Sequence, residues 1–150
     1  MRTARIATTA VIPAPPGEVF GYVTTAANWP AWHPSSVAVR GAADHPGQVG
    51  DVIVEDFRVA GRTGTVEWTV TECRPPRRWV IEGVIVGRSS GGRITYELNP
   101  GNGGTRFERT FTYPIPWQFA LVERLLVRRR VQAESAEATR RLAAVLGSHA

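Results

Sequence analysis

With 150 residues, 43% of them hydrophobic and 21% charged, the chain has the apolar content for one globular core, whereas two half-length domains would each be marginal. Disorder needs fewer apolar residues and more net charge. No apolar run reaches the roughly 18 residues that span a bilayer, so stable membrane insertion is not expected. The net charge is +5, and all 18 basic side chains are arginine; with abundant Ala, Gly, Pro and Val, this reads as GC-rich coding bias as much as function.

Met1 to Ile12 lacks the apolar stretch and small-residue cleavage site of a signal peptide, which makes the cytoplasm the default address. Residues 5–12 are rich in β-branched side chains and run to Pro13 without a breaker, as a strand does. Pro15 and Pro16 suit a helix start, where a missing N–H costs nothing, and Val19, Phe20 and Val23 follow at helical spacing. A second short helical turn holds Asn28, Trp29, Ala31 and Trp32 and is broken by Pro34. From residue 36 the hydrophobic period becomes two. Strands are expected at 36–41, 51–59, 64–73, 78–87, 92–99 and 104–113, punctuated by DHPGQVGD, AGRTG, RPPR, GRSSGG and NPGNGG. Gly91–Gly92 and Gly101–Gly104 join strand to strand and read as hairpin turns, not phosphate loops. Strands in such a run form an antiparallel meander.

Alternation sorts the side chains into faces. Val66, Trp68 and Val70 oppose Thr65, Glu67, Thr69 and Thr71. Ile94, Tyr96 and Leu98 share the apolar face of their strand, as do Phe107, Arg109, Phe111 and Tyr113, with Ile81 in the strand between. In 51–59, Glu55 alternates with Ile53, Phe57 and Val59, but Val52 and Val54 make the opposite face nearly as apolar, so that phase stays open. One apolar face needs a cover. After Pro116 no Pro or Gly occurs until Gly147, and Trp117, Leu121, Leu125, Val131, Ala138, Leu142 and Val145 recur near helical spacing, so a long helix is expected within 116–147. Its six Arg and three Glu between Glu123 and Arg141 read as a solvated face with Arg130–Glu134 and Glu137–Arg141 pairs. Arg128, Arg129 and Arg130 spread around such a helix instead of forming one patch, which argues against nucleic acid as a partner.

The tract VIPAPPGEVFGYVTTAANWPAWHP, the turn VTECRPPRRW and the ending FTYPIPWQFALVERLLVRRR resemble the START/Bet v 1-like (SRPBCC) superfamily, most closely its bacterial polyketide cyclase/dehydrase group. The resemblance covers nearly the whole chain. It implies an α+β helix-grip fold: a curved seven-stranded antiparallel sheet around a long C-terminal helix, with two short helices after the first strand. It also implies a cavity between sheet and helix for a small hydrophobic molecule of lipid, polyketide, aromatic or quinone type. Alternatively, such a cavity serves a cyclase or dehydratase that acts without metal on an aromatic or poly-β-ketone substrate. Fold alone does not choose between them.

The expected ligand-binding residues are Trp29, Trp32, Val66, Trp68, Val70, Ile81, Tyr96, Phe107, Arg109, Phe111, Leu121 and Leu125. If the protein is an enzyme, Arg109 or Tyr96 would stabilise an enolate, and His33 or Glu55 would move protons. His33 can equally cap the short helix or bond to backbone. Arg109 either holds the polar end of a ligand or snorkels to water from an edge. No His/Asp/Glu cluster at ligand spacing, HExxH or Gly-x-Ser-x-Gly motif occurs, and Cys73 is the only cysteine, so no metal, cofactor or disulfide is expected. Homodimer formation is left open.

Overall fold

The computed structural model describes residues 2–59, 61–88, 91–115 and 128–147. The strands are β1 (Arg2–Ile12), β2 (Ser36–Gly41), β3 (Val52–Val59), β4 (Arg62–Arg74), β5 (Arg78–Ile85), β6 (Gly91–Gly101) and β7 (Gly104–Ile115). Helices α1 (Pro16–Thr24) and α2 (Trp29–Trp32) follow β1, and α3 (Arg128–Gly147) closes the described chain. All seven strands make one antiparallel, curved sheet in the order β1-β7-β6-β5-β4-β3-β2. The helix-grip expectation therefore holds.

Local chemistry explains the helical segment after β1. Pro16 opens α1 with no loss of a hydrogen bond. At its C-terminus, where helical carbonyls lack partners, Asn28 Nδ2 donates to Tyr22 O at 3.1 Å and Trp29 Nε1 to Val23 O at 2.9 Å. The Asn-Trp pair thus locks a short 3-10 turn and α2 back onto the end of α1.

Strand β1 starts three residues earlier than its pattern suggested, because β7 continues to Ile115 and pairs with Arg2. Gly91 and Gly92 belong to β6 and not to the preceding turn. A Cβ on Gly91 would run into the backbone of Gly83, and one on Gly92 would lie 2.7 Å from the Phe111 ring. Close approach, not turn geometry, is what requires glycine there.

The phase of β3 is settled by burial. Ile53 is fully buried and Glu55, Phe57 and Val59 follow it inward, whereas Val52 faces solvent. Helix α3 packs against β1 and α2 and buries Ala138, Leu142 and Leu146, spaced four residues apart along one stripe. Its outer face carries the expected Glu137–Arg141 pair at 3.1 Å, joined by Arg140. Residues 116–127, the first part of the expected helix, lie outside the described residues, as does the Arg130 side chain of the second expected pair. No described helix is long and apolar enough to cross a membrane.

Candidate ligand-binding cavity

The inward side chains of β3 to β7, together with α2, line a cavity of about 340 Å³. Its wall is mostly apolar: Phe57 and Val59 from β3, Val66 and Trp68 from β4, Ile85 from β5, Ile94 from β6, and Phe111 and Tyr113 from β7. Glycines deepen it. Gly83 pairs with Trp68 across β4 and β5, and a Cβ there would sit 2.5 Å from the indole, so the ring lies against bare backbone. Gly64 lies under Phe57 and Gly92 under Phe111 in the same way.

One end of the sheet's inner face is plugged by rings. Trp79 packs on Trp29 and Tyr96, with centroids 6.2 and 5.3 Å apart, and Phe107 sits 5.1 Å from Tyr96 and 6.4 Å from Trp32. Trp79 Nε1 donates to Gly47 O at 2.9 Å and fixes the stack to the loop before β3.

This packing divides the expected ligand-binding residues. Trp29, Trp32, Val66, Trp68, Tyr96, Arg109 and Phe111 line the cavity. Val70, Ile81 and Phe107 do not; they are core residues at the plugged end, where aromatic rings occupy the space a ligand would need. Leu121 and Leu125 lie outside the described residues. Phe57, Val59, Ile85 and Ile94 were not among the expected contacts. Settling the phase of β3 would have identified the first two, and glycines on the inner phase of β5 and β6 were the overlooked sign that the neighbouring positions border open space.

Arg88 and Ser35 border the cavity, and four further polar side chains interrupt its apolar wall. Arg109, only 6% exposed, projects from β7 beside Tyr96 of β6, its cross-strand partner. Its guanidinium lies 5.9 Å from the centre of the Phe111 ring. Arg109 is therefore buried within the cavity and does not snorkel to water. Burial pushes the Tyr96 phenol up to about 12, with Arg109 opposing the rise, so the hydroxyl stays protonated. Glu55 faces the same space from β3 and accepts from Trp68 Nε1 at 3.0 Å. Desolvation raises its pKa above the ordinary carboxylate value; the Trp68 hydrogen bond and the Arg109 charge pull it back. Among the described residues no ion pair joins Glu55 to Arg109.

His33, at the end of α2, completes the polar set. Its Nδ1 is turned to Ser35, 3.3 Å from the backbone nitrogen and 2.7 Å from the hydroxyl. Burial first, then the positive charges of Arg109 and Arg141, hold its pKa well below the ordinary 6.5 and keep the ring neutral. The expected backbone bond is present, and the ring also borders the cavity. Arg109, Tyr96, Glu55 and His33 are thus brought into one chamber from four different elements. His45 belongs elsewhere: it bridges Asp44 and Asp51 on the surface at 2.8 and 3.0 Å.

Residues 3–147 match the family described as "Polyketide cyclase / dehydrase and lipid transport". The chain belongs to this family. No curated protein sequence matches it. Among solved structures, a protein from Rhodobacter sphaeroides is 21% identical, with 97% of this chain and 93% of that one covered and a TM-score of 0.72. The major latex-like protein 151 of Panax ginseng is 12% identical over 96% of this chain and 97% of its own, with a TM-score of 0.69. A protein of the dynemicin biosynthetic locus, DynU16, is 18% identical; 97% of this chain covers 48% of that one, at a TM-score of 0.69. At these identities the likeness establishes a shared fold.

Proposed function

We propose that the protein binds a small hydrophobic molecule, of lipid, polyketide, aromatic or quinone type, with the molecule's polar end at Arg109. The observation that carries this reading is an apolar cavity of about 340 Å³ with a buried guanidinium in its wall. Most of the ligand would be held by area removed from water, at roughly 25 cal/mol per Å². A few polar groups would then fix its orientation. Native mass spectrometry of the recombinant protein, followed by solvent extraction, is the direct test. The reading expects a co-purifying hydrophobic molecule, or saturable uptake of one by the stripped protein; a protein that arrives empty and takes up no apolar probe would refute it.

A second reading, a cyclase or dehydratase, is favoured by one observation: Glu55 is a carboxyl with a raised pKa in the same chamber as Arg109 and Tyr96. Such a carboxyl is suited to take a proton from the carbon next to a carbonyl while Arg109 and Tyr96 stabilise the enolate oxygen. Loss of turnover in Glu55→Gln with ligand affinity retained would select this reading over simple carriage.

A further inference from the structure

We propose that Arg88 holds an anionic group at the outer end of the ligand, so that the chamber takes an amphiphile that is acidic at the cavity mouth and apolar between the mouth and Arg109. This rests on the ligand-binding reading above and adds to it the chemistry of the ligand's second end.

Exposure along the wall locates the mouth. At the inner end Trp32, His33, Tyr96 and Arg109 are buried. Towards the other end Val59, Ile85, Gly91 and Tyr113 are half-buried, and among the described residues that border the cavity Arg88 alone is exposed. Strand direction gives the same answer. Trp79 of the ring plug stands near the start of β5, and Arg88 follows the far end of that strand. The turn there is tight: Arg88 N donates to Ile85 O at 2.9 Å, and Gly87 takes φ +85°. Arg88 is thereby folded back beside the end of β5.

The charge at this end is of one sign. Segments 58–64 and 86–92, which join β3 to β4 and β5 to β6, carry Arg58, Arg62 and Arg88 and no Asp or Glu. Arg62 is exposed and stands opposite inward Val59 across its hairpin. Among the described residues no acid forms an ion pair with Arg88. Glu55, the acid of the cavity wall, accepts from Trp68 Nε1 and is set apart from the Arg88 hairpin by a whole strand, since it pairs with Val66 and Val66 pairs with Ile85. Ser35, Tyr96 and Tyr113 contribute hydroxyls to the lining, and His33 is neutral.

A solvated cation in front of an apolar chamber suits a carboxylate with an apolar tail. The tail gains by leaving water, while the acid pairs with Arg88 and keeps part of its hydration, so it escapes the cost of full burial. The register sets the ligand's length. Gly91, where the hairpin enters β6, and Tyr96, which pairs with Arg109, are five residues apart on β6, about 16 Å at the strand rise. An extended diacid of medium length, such as dodecanedioic acid, matches that span.

Dodecanedioate and its dimethyl ester share one chain and differ in charge, and displacement of parinaric alcohol from the full chain compares them. Arg88→Gln should weaken dodecanedioate about 2- to 5-fold, the scale of a solvated ion pair, and leave the ester unchanged. Arg88→Lys keeps the charge and should retain most of the affinity. Added salt should erase the difference between wild type and Arg88→Gln. Arg106→Gln removes the same charge from an exposed site at the plugged end and should change neither ligand. Equal effects of Arg88→Gln on diacid and ester, no effect on either, or an equal loss in Arg106→Gln would overturn the acid subsite and leave the cavity reading standing. A wild type that takes up neither ligand nor the alcohol would overturn both.

Discussion

Replacing Arg109 by Met separates two roles of a buried guanidinium, because Met keeps an unbranched chain of similar length and loses the charge. In the native cavity the guanidinium stands beside Tyr96 and lies 5.9 Å from the centre of the Phe111 ring, and among the described residues no ion pair joins it to Glu55. Exchanging a buried charge for an apolar chain is often neutral or stabilising. Its effect should appear in ligand selectivity. A fatty acid whose carboxylate meets Arg109 loses a charge-assisted hydrogen bond worth roughly 1.5–3 kcal/mol, or about ten- to 150-fold in Kd. The corresponding fatty alcohol should bind as well or slightly better, since one desolvation cost disappears. Parinaric acid and its alcohol, both fluorescent when buried, allow the two titrations under identical conditions. Three neighbours report the lost charge as well: Arg109 lowers the pKa of Tyr96, Glu55 and His33, so each should titrate higher in the variant. Equal weakening of acid and alcohol at unchanged Tm would show that Arg109 does not meet the ligand's polar end.

Gly83→Ala should destabilise the protein by about 1–3 kcal/mol in urea unfolding, because the new Cβ meets the Trp68 ring at 2.5 Å and forces it off its bond to Glu55. Gly21→Ala in α1 meets nothing within 4 Å and should instead be stabilising by up to about 1 kcal/mol; equal effects at both sites would refute the packing argument. Hydrogen bonds to Asp44 and Asp51 raise the His45 pKa above 6.5, so its contribution to stability is complete below that value and fades as pH rises through the folded pKa. Urea midpoints at pH 5.5 and 8.5 should therefore fall more for wild type than for His45→Gln, and parallel curves would dismiss the clamp.

What the sequence alone determined was whatever depends on period and local chemistry. Alternation assigns Val66, Trp68, Tyr96, Arg109 and Phe111 to one face before any fold is known, because successive strand side chains must point oppositely. The lack of Pro and Gly between Trp117 and Leu146 and the stripe Ala138, Leu142 identify the covering helix, since such spacing buries one side only in a 3.6-residue repeat. The phase of β3 was not legible, because valines flank Glu55 on both faces and only pairing with β4 decides which face is inward. Nor could spacing tell cavity wall from core: Phe107 and Phe111 are equivalent by alternation, yet rings from α2 and β6 close over one and leave the other on the cavity wall. The state of His33 was equally out of reach. Its tautomer is set by the turn that brings the Ser35 N–H to Nδ1, and its neutrality by arginines that lie 76 and 108 residues further along the chain. Burial and charge add up over neighbours in space, and only the folded chain says who those neighbours are.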